Sequence, residues 1–304
     1  MKIGSRGSSL ALTQTNAVAK SLRDANPDLK TEIVVIRTKG DILQDVALAR
    51  IGGKGLFVKE IEEALLAGRV DIAVHSLKDM PAELPGGLEI GATPRREDPR
   101  DAWISADGRR IEDAPAGARI GTGSLRRGLQ VKRVVPQAEI VPIRGNLDTR
   151  IRKIVSEKLA GVIVAAAGLG RMGWADRATQ VLEPDIMLPA VGQGIIAVEM
   201  RSADGGIRDI LKGIDDADAG LAARAERAFL RKLGGGCQLP VAAYAENRGG
   251  RLRIRGLVGS PDGSAAICDE AEGPNEDAEA MGAAVAERIL RAGGRELLDA
   301  VYGK

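Results

Sequence analysis

The stretch that decides the fold is FVKEIEEALLAGRVDIAVHSLKDMP, residues 57–81. In its first half, apolar residues recur at helical spacing, and Gly68 ends the predicted helix. The apolar residues on one face of that helix are Phe57, Ile61, Ala64 and Leu65. Residues 70–75 then form a short apolar run that is typical of a buried strand. A helix that leads directly into a buried strand is the repeating unit of an α/β protein.

The same alternation continues on both sides of this stretch. Further strands are predicted at residues 32–38, 118–122, 139–143, 161–167 and 194–200. The strands at 118–122 and 139–143 are each followed by a helical pattern. Strands that alternate with helices indicate mainly parallel sheets with helices on both faces.

The last third of the chain has a different pattern. A helix is predicted at 216–233, and two more close the chain at about 275–292 and 294–302. Three strands are predicted between them, at residues 241–247, 251–258 and 264–270. Glycine-containing turns, RGG and PDG, join these strands. This pattern predicts a small antiparallel α+β domain.

Composition narrows the class of protein. The chain has 304 residues, 44% hydrophobic and 28% charged, with a net charge of +2. These values are typical of a soluble globular protein with two or three domains. No apolar run approaches the ~18 residues of a membrane span, and the first residues, MKIGSRGSSL, lack the apolar core of a signal peptide. We therefore expect a cytoplasmic protein with no membrane partner.

Counts of single residue types exclude further classes. Aromatic residues make up 2% of the chain, which argues against nucleic-acid binding by base stacking. The two cysteines, Cys237 and Cys268, are expected to be free thiols in a reducing compartment. His75 is the only histidine, and no Cys/His cluster has the spacing of a zinc site. We expect no metal.

Two predicted strand ends carry arginines beside the start of a helix. The first reads GTGSLRR (residues 121–127) and the second IRGNLDTR (residues 143–150). Free N–H groups at a helix N-terminus attract anions, and the planar fork of arginine suits carboxylates and phosphates. Two such junctions in succession favour a polyanionic ligand. The alternative at each is an ordinary helix cap with arginines that face solvent.

A third strand end carries a lysine and a carboxylate. The segment HSLKDMP (residues 75–81) places Ser76, Lys78 and Asp79 at the carboxyl end of a strand, where ligands of open α/β sheets bind. A carboxylate there could stabilise a developing positive charge. The alternative is a turn aspartate that pairs with Lys78. His75 is expected to be a core or capping residue.

The segment LGGGCQLP (residues 233–240) puts Cys237 on a glycine-rich loop between a helix and a strand. A thiol on an exposed loop can act as a nucleophile, whereas Cys268 lies in a predicted strand and is expected to be structural. A GxGxxG pattern at residues 168–173 follows a buried strand. No long helix and acidic strand end follow it, so dinucleotide binding is disfavoured.

Together these segments resemble the porphobilinogen deaminase family. The stretch from Glu226-Arg227 to Pro240 is similar to that family's cofactor-attachment signature. The other matching segments are GGKGLFVKE (52–60), DIAVHSLKDMP (71–81), REDPRDA (96–102), GTGSLRR (121–127), IRGNLDTR (143–150) and LPAVGQG (188–194). The resemblance covers essentially the whole chain, in order.

The resemblance implies two lobes similar to those of periplasmic binding proteins, and a third domain. The chain would cross between the lobes near residues 95–99 and 189–194. The implied domains are residues 1–94 with 195–212, residues 95–194, and residues 213–304 with Cys237. The predicted fold class is therefore α/β, with mainly parallel sheets in two lobes and a C-terminal α+β domain built on a three-stranded antiparallel sheet.

The resemblance also implies an activity, that of a hydroxymethylbilane synthase in tetrapyrrole biosynthesis. Such an enzyme condenses four molecules of porphobilinogen head to tail with loss of ammonia. A dipyrromethane cofactor, joined to Cys237 by a thioether, would carry the growing chain. Asp79 corresponds to the family's catalytic aspartate, whose carboxylate stabilises positive charge on a pyrrole ring. The protein is expected to be a monomer that binds no nucleic acid.

By matching position, the resemblance assigns two sets of binding residues. The set expected to hold the cofactor is Ser76, Lys78, Asp79, Thr122, Ser124, Arg126, Arg127, Gly145 and Arg150, with Cys237 as the covalent attachment. The set expected to contact substrate is Arg6, Ser8, Gln14, Lys54, Phe57, Arg144, Arg150 and Arg171. Phe57 either stacks over a ring or packs in the core. Two other classes stay open: a two-lobed binding protein for a small anion, and a nucleotide-dependent enzyme that uses residues 168–173.

Overall fold

A computed structural model of the chain describes residues 1–38, 58–235 and 239–302. Its strands are β1 (Lys2–Ser5), β2 (Glu32–Val35), β3 (Ile72–Ser76), β4 (Leu88–Ala92), β5 (Asp101–Ser105), β6 (Arg119–Gly121), β7 (Glu139–Val141), β8 (Gly161–Ala165), β9 (Gln180–Leu182), β10 (Ile196–Arg201), β11 (Val241–Arg248), β12 (Arg251–Gly259) and β13 (Ala266–Pro274). Its α-helices are α1 (Ser9–Ala25), α2 (Lys59–Leu66), α3 (Leu125–Val134), α4 (Leu147–Ser156), α5 (Ala166–Arg171), α6 (Gly205–Leu211), α7 (Ala217–Lys232), α8 (Ala278–Ile289) and α9 (Arg295–Tyr302). None of the helices in these ranges combines the length and the apolar character that crossing a membrane requires.

Two five-stranded sheets share one strand order. The first is β2-β1-β3-β10-β4 and the second is β7-β6-β8-β5-β9. In each sheet the fourth strand runs antiparallel to both of its neighbours, and the other pairs are parallel. Four of the five strands in each sheet therefore point in one direction, and their carboxyl ends meet at one edge.

The strand that runs against the others follows a crossing of the chain between the two sheets. Residues 93–100 lead from β4 to β5, and residues 183–195 lead from β9 to β10. The third sheet, β11-β12-β13, is antiparallel throughout. The predicted fold class, two mainly parallel lobes and a C-terminal α+β unit, is confirmed.

The stretch that opened the sequence analysis folds as its pattern predicts. Ile61, Ala64 and Leu65 of α2 are fully buried, and they pack with Ala73 of β3. Full burial of a side chain as large as Ile61 or Leu65 contributes about 1.5–3 kcal/mol. Phe57, predicted on the same face, lies outside the described residues.

The third unit is held together by close packing between helices and sheet. A Cβ on Gly282 of α8 would lie 2.0 Å from the carbonyl oxygen of Ala225 in α7, so only glycine lets these helices approach. Phe229 of α7 is fully buried, and a Cβ on Gly256 of β12 would lie 2.4 Å from its ring, so this close contact also requires glycine. Helix α7 is thereby fixed rigidly on the sheet.

One carboxylate on α7 joins this unit to both crossing segments. Glu226 is fully buried and accepts hydrogen bonds from Arg96 Nη1 (2.7 Å), Gly192 N (2.5 Å) and Ala245 N (2.8 Å). Arg96 belongs to the first crossing and Gly192 to the second. A buried carboxylate is stable only when it is paired and hydrogen-bonded in this way. The place where the lobes meet is thus tied to the third unit.

Candidate active site

The turn after β3 presents a carboxylate at the end of the first sheet. The strand ends at Ser76, and Leu77–Asp79 form a single 3-10 turn. The N–H of Leu77 donates to the carbonyl oxygen of Ile195 over 3.0 Å, which fixes this turn to the second crossing segment. Asp79 is half-buried, and its carboxylate accepts no hydrogen bond from a residue in the described parts of the chain. Its oxygens can therefore receive donors from a ligand.

Arg126 and Arg127 are both directed inward, onto one aspartate. Arg126 Nη1 donates to Asp101 Oδ2 over 2.6 Å, and Arg127 Nη2 donates to Asp101 Oδ1 over 2.7 Å. The three side chains are at most 6% exposed, so neither arginine faces solvent. Burial alone would favour neutral Asp101, but the charges of the two arginines hold its pKa well below the usual range. One carboxylate is shared by two guanidinium groups, so the cluster of Asp101, Arg126 and Arg127 keeps one net positive charge.

Lys78 lies beside this cluster. Its Nζ donates to Gln193 Oε1 over 3.4 Å, and Gln193 Nε2 donates in turn to Asp101 Oδ1 over 3.0 Å. Burial lowers the pKa of Lys78 to about 8; Arg127 lowers it further, while Asp79 and Asp101 oppose the shift. Within the described residues, Lys78 and Asp79 form no direct ion pair, although their opposite charges act on one another.

The second strand–helix junction brings Arg150 to the same place. Gly145 has φ +104°, and a Cβ there would lie 2.7 Å from Thr149 Cγ2, so the turn requires glycine. The carbonyl oxygen of Gly145 accepts from Arg150 Nε over 2.8 Å. Burial and the charge of Arg127 lower the pKa of Arg150 to about 10, and Asp79 opposes this shift. The carboxylate of the first lobe and the cations of the second thus act on one another.

Other predicted residues at these junctions hold the backbone in place. Ser124 caps α3 by accepting from Arg127 N, and Thr122 Oγ1 accepts from Ser124 N over 3.2 Å. Arg144 is half-buried and close enough to Arg150 to disfavour its charge. The arrangement explains why small hydroxyl residues precede the arginines: they complete the helix start from which the arginines project.

The remaining predicted side chains approach from α1 and α5. Arg6 and Ser8 precede α1, and the Ser8 side chain caps that helix. Buried Gln14 donates to Ser76 Oγ over 3.0 Å. Arg171 Nη2 donates to the carbonyl of Gly194 over 2.8 Å, while its buried Nε has no partner among the described residues. Burial lowers the pKa of Arg171, and Glu97 opposes the shift.

The GxGxxG pattern does not form a phosphate-binding turn. Its first four residues lie within α5, which begins directly after β8. A Cβ on Gly168 would lie 3.9 Å from Leu10 of α1 and 3.8 Å from Leu147 of α4. Gly168 therefore lies between helices of different lobes, at a distance that would also accommodate a Cβ.

Three predicted residues lie outside the described residues: Lys54, Phe57 and Cys237. The chain that leads to the cysteine is described as far as Gly235, where a Cβ would lie 3.0 Å from Ala82 Cβ. Arg227 of α7 donates to the carbonyls of Pro81 and Ala82 over 3.0 and 2.9 Å. The start of the glycine-rich loop thus lies against the residues that follow Asp79.

Sequence reasoning missed Asp101 and Gln193, which hold the cationic cluster together. The available signal was an aspartate at the start of the otherwise apolar run DAWIS, residues 101–105, because a charged residue there needs a buried partner. Cys268 lies in β13 as expected for a residue in a strand, and its side chain is exposed rather than part of the core. Its side chain alternates to the solvent face of this edge strand.

The donors at this site suit one kind of ligand. Within the described ranges, no group of three or more His, Cys, Asp or Glu side chains could hold a metal ion. The cluster instead offers a surplus of positive charge, a buried Arg171 nitrogen in need of an acceptor, and an open carboxylate at Asp79. A compound that carries several carboxylates together with N–H donors, such as a dipyrromethane, fits these residues.

Comparisons with known proteins identify the family of this chain. A family model described as "Porphobilinogen deaminase, dipyromethane cofactor binding domain" matches residues 1–209, and one described as "Porphobilinogen deaminase, C-terminal domain" matches residues 221–291. A porphobilinogen deaminase from Syntrophus aciditrophicus (strain SB) is 58% identical over 299 residues, which cover 98% of each chain. One from Syntrophobacter fumaroxidans is 47% identical over 302 residues, 99% of this chain and 98% of the relative. A solved TRAP periplasmic solute binding protein from Desulfovibrio salexigens aligns with 73% of each chain at 11% identity and a TM-score of 0.44. The chain belongs to the porphobilinogen deaminase family.

Proposed function

We propose that this chain condenses four molecules of porphobilinogen head to tail into the linear tetrapyrrole hydroxymethylbilane, with release of ammonia. The observation that carries the proposal is the juxtaposition of an open carboxylate, Asp79, with cations of the opposite lobe. The dipyrromethane cofactor of the family, attached at Cys237, supplies the free pyrrole carbon at which the chain grows. Charge stabilisation and the binding of ring carboxylates are assigned to side chains of this chain.

Asp79 has the catalytic role in this proposal. Its carboxylate accepts pyrrole N–H groups and lowers the energy of the positive charge that develops on a ring when ammonia leaves. The turn Leu77–Asp79 is held by Ile195, so the carboxylate is positioned before the ligand arrives. A fixed charge in a half-buried site stabilises a transition state better than solvent does, because it need not reorganise. The same oxygens can accept the proton that leaves the pyrrole α-carbon after the new bond has formed.

The cations bind the acidic side chains of the rings. Six rings, with an acetate and a propionate each, bring about twelve carboxylates, and arginine pairs with carboxylates bidentately. Lys78 and Arg150 flank Asp79 in this proposal, and the buried Arg126 and Arg127, which share Asp101, supply positive charge from behind the wall of the cleft. Ser76, Thr122, Ser124 and Gly145 shape the same part of the cleft. Arg6, Ser8, Gln14, Arg144 and Arg171 extend the same lining, and Lys54 and Phe57 belong to it by their place in the family pattern. Arg171 supports this role because a buried guanidinium nitrogen without an acceptor is costly until a ligand supplies one.

Cys237 is the attachment point. What supports this placement is the contact of Gly235 with Ala82, three residues after the catalytic aspartate. The Cα of Cys237, two residues beyond Gly235, can be no more than about 7 Å from the Cα of Gly235. The tether would therefore begin close to Asp79.

The wider setting of the enzyme is also part of the proposal. Residues 1–94 with 195–212 form the catalytic lobe, residues 95–194 the cationic lobe, and residues 213–304 the attachment domain. The protein acts as a cytoplasmic monomer, without nucleic acid or membrane as partner. The bonds of Glu226 to both crossing segments support an arrangement in which all three domains work within one chain.

Intact mass spectrometry of the purified protein tests the proposed function. The wild type should exceed its sequence mass by two pyrrole units. Cys237→Ala should lose this addition, while the matched variant Cys268→Ala, changed at an exposed thiol of β13, should keep it. A wild type at its bare sequence mass, after expression with ample porphobilinogen, would contradict the proposal.

A further inference from the structure

Three buried ionisable side chains lie beside the strand that ends at the catalytic turn, and nothing above uses them. They are His75 of β3, Glu199 of β10 and Glu62 of α2, which are 5%, 0% and 6% exposed. We call them the His75 cluster. His75 is the only histidine in the chain. Charged residues are seldom buried this deeply unless they have partners, so the cluster calls for a physical account.

The cluster joins three elements on one face of the first sheet. His75 Nε2 lies 3.1 Å from Glu199 Oε2. His75 stands opposite Ala197 in the β3–β10 register, and Glu199 stands opposite Ala73, so all four share a face. Helix α2 packs against Ala73 on that face, and its Glu62 is close enough to His75 and Glu199 for their charges to act on it. Strand β10, which carries Glu199 and pairs with β3, is the strand that follows the second crossing between the lobes.

The charges of the cluster do not balance when all three groups are ionised. An imidazolium at His75 neutralises one carboxylate and leaves the other buried without a cation. The described groups that act on Glu62 are Glu199, His75 and its helix neighbour Glu63. Arg201, further along β10, is already bound by the carbonyls of Leu65 and Val70 and by Asp204, and does not offset Glu62.

Two oxygens of the cluster have no hydrogen-bond partner in the described structure. They are Glu62 Oε1 and Glu199 Oε1, and both are fully shielded from solvent. A carboxylate can only accept, so two buried carboxylates cannot satisfy one another. A proton on one of them would turn an acceptor into a donor and remove the excess negative charge at the same time.

We infer that the His75 cluster retains a proton on Glu62 in the folded enzyme, and that this proton keeps α2 on β3 and β10 and so positions Asp79. Burial, with a smaller effect of Glu199, raises the pKa of Glu62 to about 7, while His75 opposes the shift. The folded pKa lies above the ordinary value of 4.5. The stabilisation is therefore complete below about pH 4.5 and is lost as the pH rises through about 7.

The cluster reaches the reaction through the β3–β10 pairing. The residue after His75 is Ser76, which pairs with Ile196, and the catalytic turn begins with the bond from Leu77 to Ile195. Ionisation of Glu62 would place an unpaired negative charge between α2 and the β3–β10 pair, and it would weaken the packing of α2 on these strands. Glu62 is thus a positioning residue. Because the arginines that bind ring carboxylates lie mostly in the other lobe, its ionisation should lower kcat and leave KM nearly unchanged.

The test compares the holoenzyme of the wild type with Glu62→Gln and with Glu63→Gln, a matched change at an exposed position of the same helix. Glutamine imitates the neutral carboxyl. Infrared spectra should show a protonated carboxyl band in the wild type and Glu63→Gln, with a pH midpoint near 7, and this band should be absent from Glu62→Gln. The fall of kcat and of the unfolding temperature as the pH rises through about 7 should be lost in Glu62→Gln and kept in Glu63→Gln.

This inference rests on the proposed function for its kinetic readout alone. If porphobilinogen is not consumed by the wild type, the proposed function fails, while the infrared band and the unfolding temperature still decide the protonation. A wild type without a carboxyl band that titrates near pH 7 overturns the inference, and this measurement needs no variant. Superimposable pH profiles of kcat for wild type and Glu62→Gln would overturn its link to Asp79.

Discussion

Replacing Asp101 by asparagine removes the single negative charge that two buried arginines share. The carboxylate is fully buried, and the side chains of Arg126 and Arg127 are 4% and 6% exposed, so water cannot take over its role. Loss of one partner from a buried ion pair costs about 3–5 kcal/mol, because the remaining charge is left uncompensated. Asparagine still accepts one hydrogen bond, so we expect a loss near the lower limit, about 3 kcal/mol.

Urea unfolding of the holoenzyme measures this loss. Trp103 lies two residues along β5 from the substituted position and is 1% exposed, so its fluorescence reports on the same strand. With a urea dependence of about 1–3 kcal/mol per molar, the midpoint should fall by about 1 M or more. The control is Asp98→Asn, which breaks an ion pair whose members, Arg100 and Asp98, are 33% and 34% exposed. This variant should lose at most about 1 kcal/mol of unfolding free energy. Equal shifts for the two variants would refute the reasoning.

Four further predictions concern the site itself. Asp79→Asn should keep the unfolding temperature and lower kcat by about 100-fold or more, as measured by consumption of porphobilinogen, since the shape stays and the charge is lost; turnover near that of the wild type would contradict it. Because burial lowers the pKa of Lys78 to about 8, KM should rise as the pH passes 8 and this site loses its charge, whereas Lys78→Arg should keep KM flat. The same lowered pKa means that stability rises with pH from about 8 towards 10.5, because the unfolded lysine still holds its proton there. Gly145 has φ +104°, and the Cβ that Gly145→Ala adds would lie 2.7 Å from Thr149. This variant should lower the unfolding free energy by about 1–3 kcal/mol and weaken substrate binding. The control Gly205→Ala adds a Cβ in open space and should do neither.

Secondary structure could be predicted where local pattern decides it. The helix and strand of residues 59–66 and 72–76 follow from apolar spacing, and the three strands of the third unit were predicted within four residues of their observed bounds. The apolar run at residues 161–167 was assigned wholly to a strand, but β8 ends at Ala165 and α5 begins at Ala166. A continuous apolar run has no periodicity that distinguishes a buried strand from a buried helix, so this boundary could not be read from the pattern.

The electrostatic partners in the site could not be predicted from local sequence. The pattern at the start of α3 predicts arginines that meet ligand carboxylates or solvent. In the structure both arginines bind Asp101, which precedes Arg126 by 25 residues in the chain. That aspartate reaches them because β5 is inserted antiparallel between β8 and β9, an arrangement set by the whole sheet. The roles assigned to the site residues from family resemblance stay predictions until the variants above are measured.

The strand order has a consequence for synthesis on the ribosome. Every strand of the second sheet lies within residues 101–182, so that sheet is complete once this stretch has emerged. The first sheet needs β10, residues 196–201, as the strand between β3 and β4. Until then the nascent N-terminal lobe has two strands with unpaired edges, which are the usual sites of aggregation. The lobe that is translated first is therefore the one whose sheet closes last.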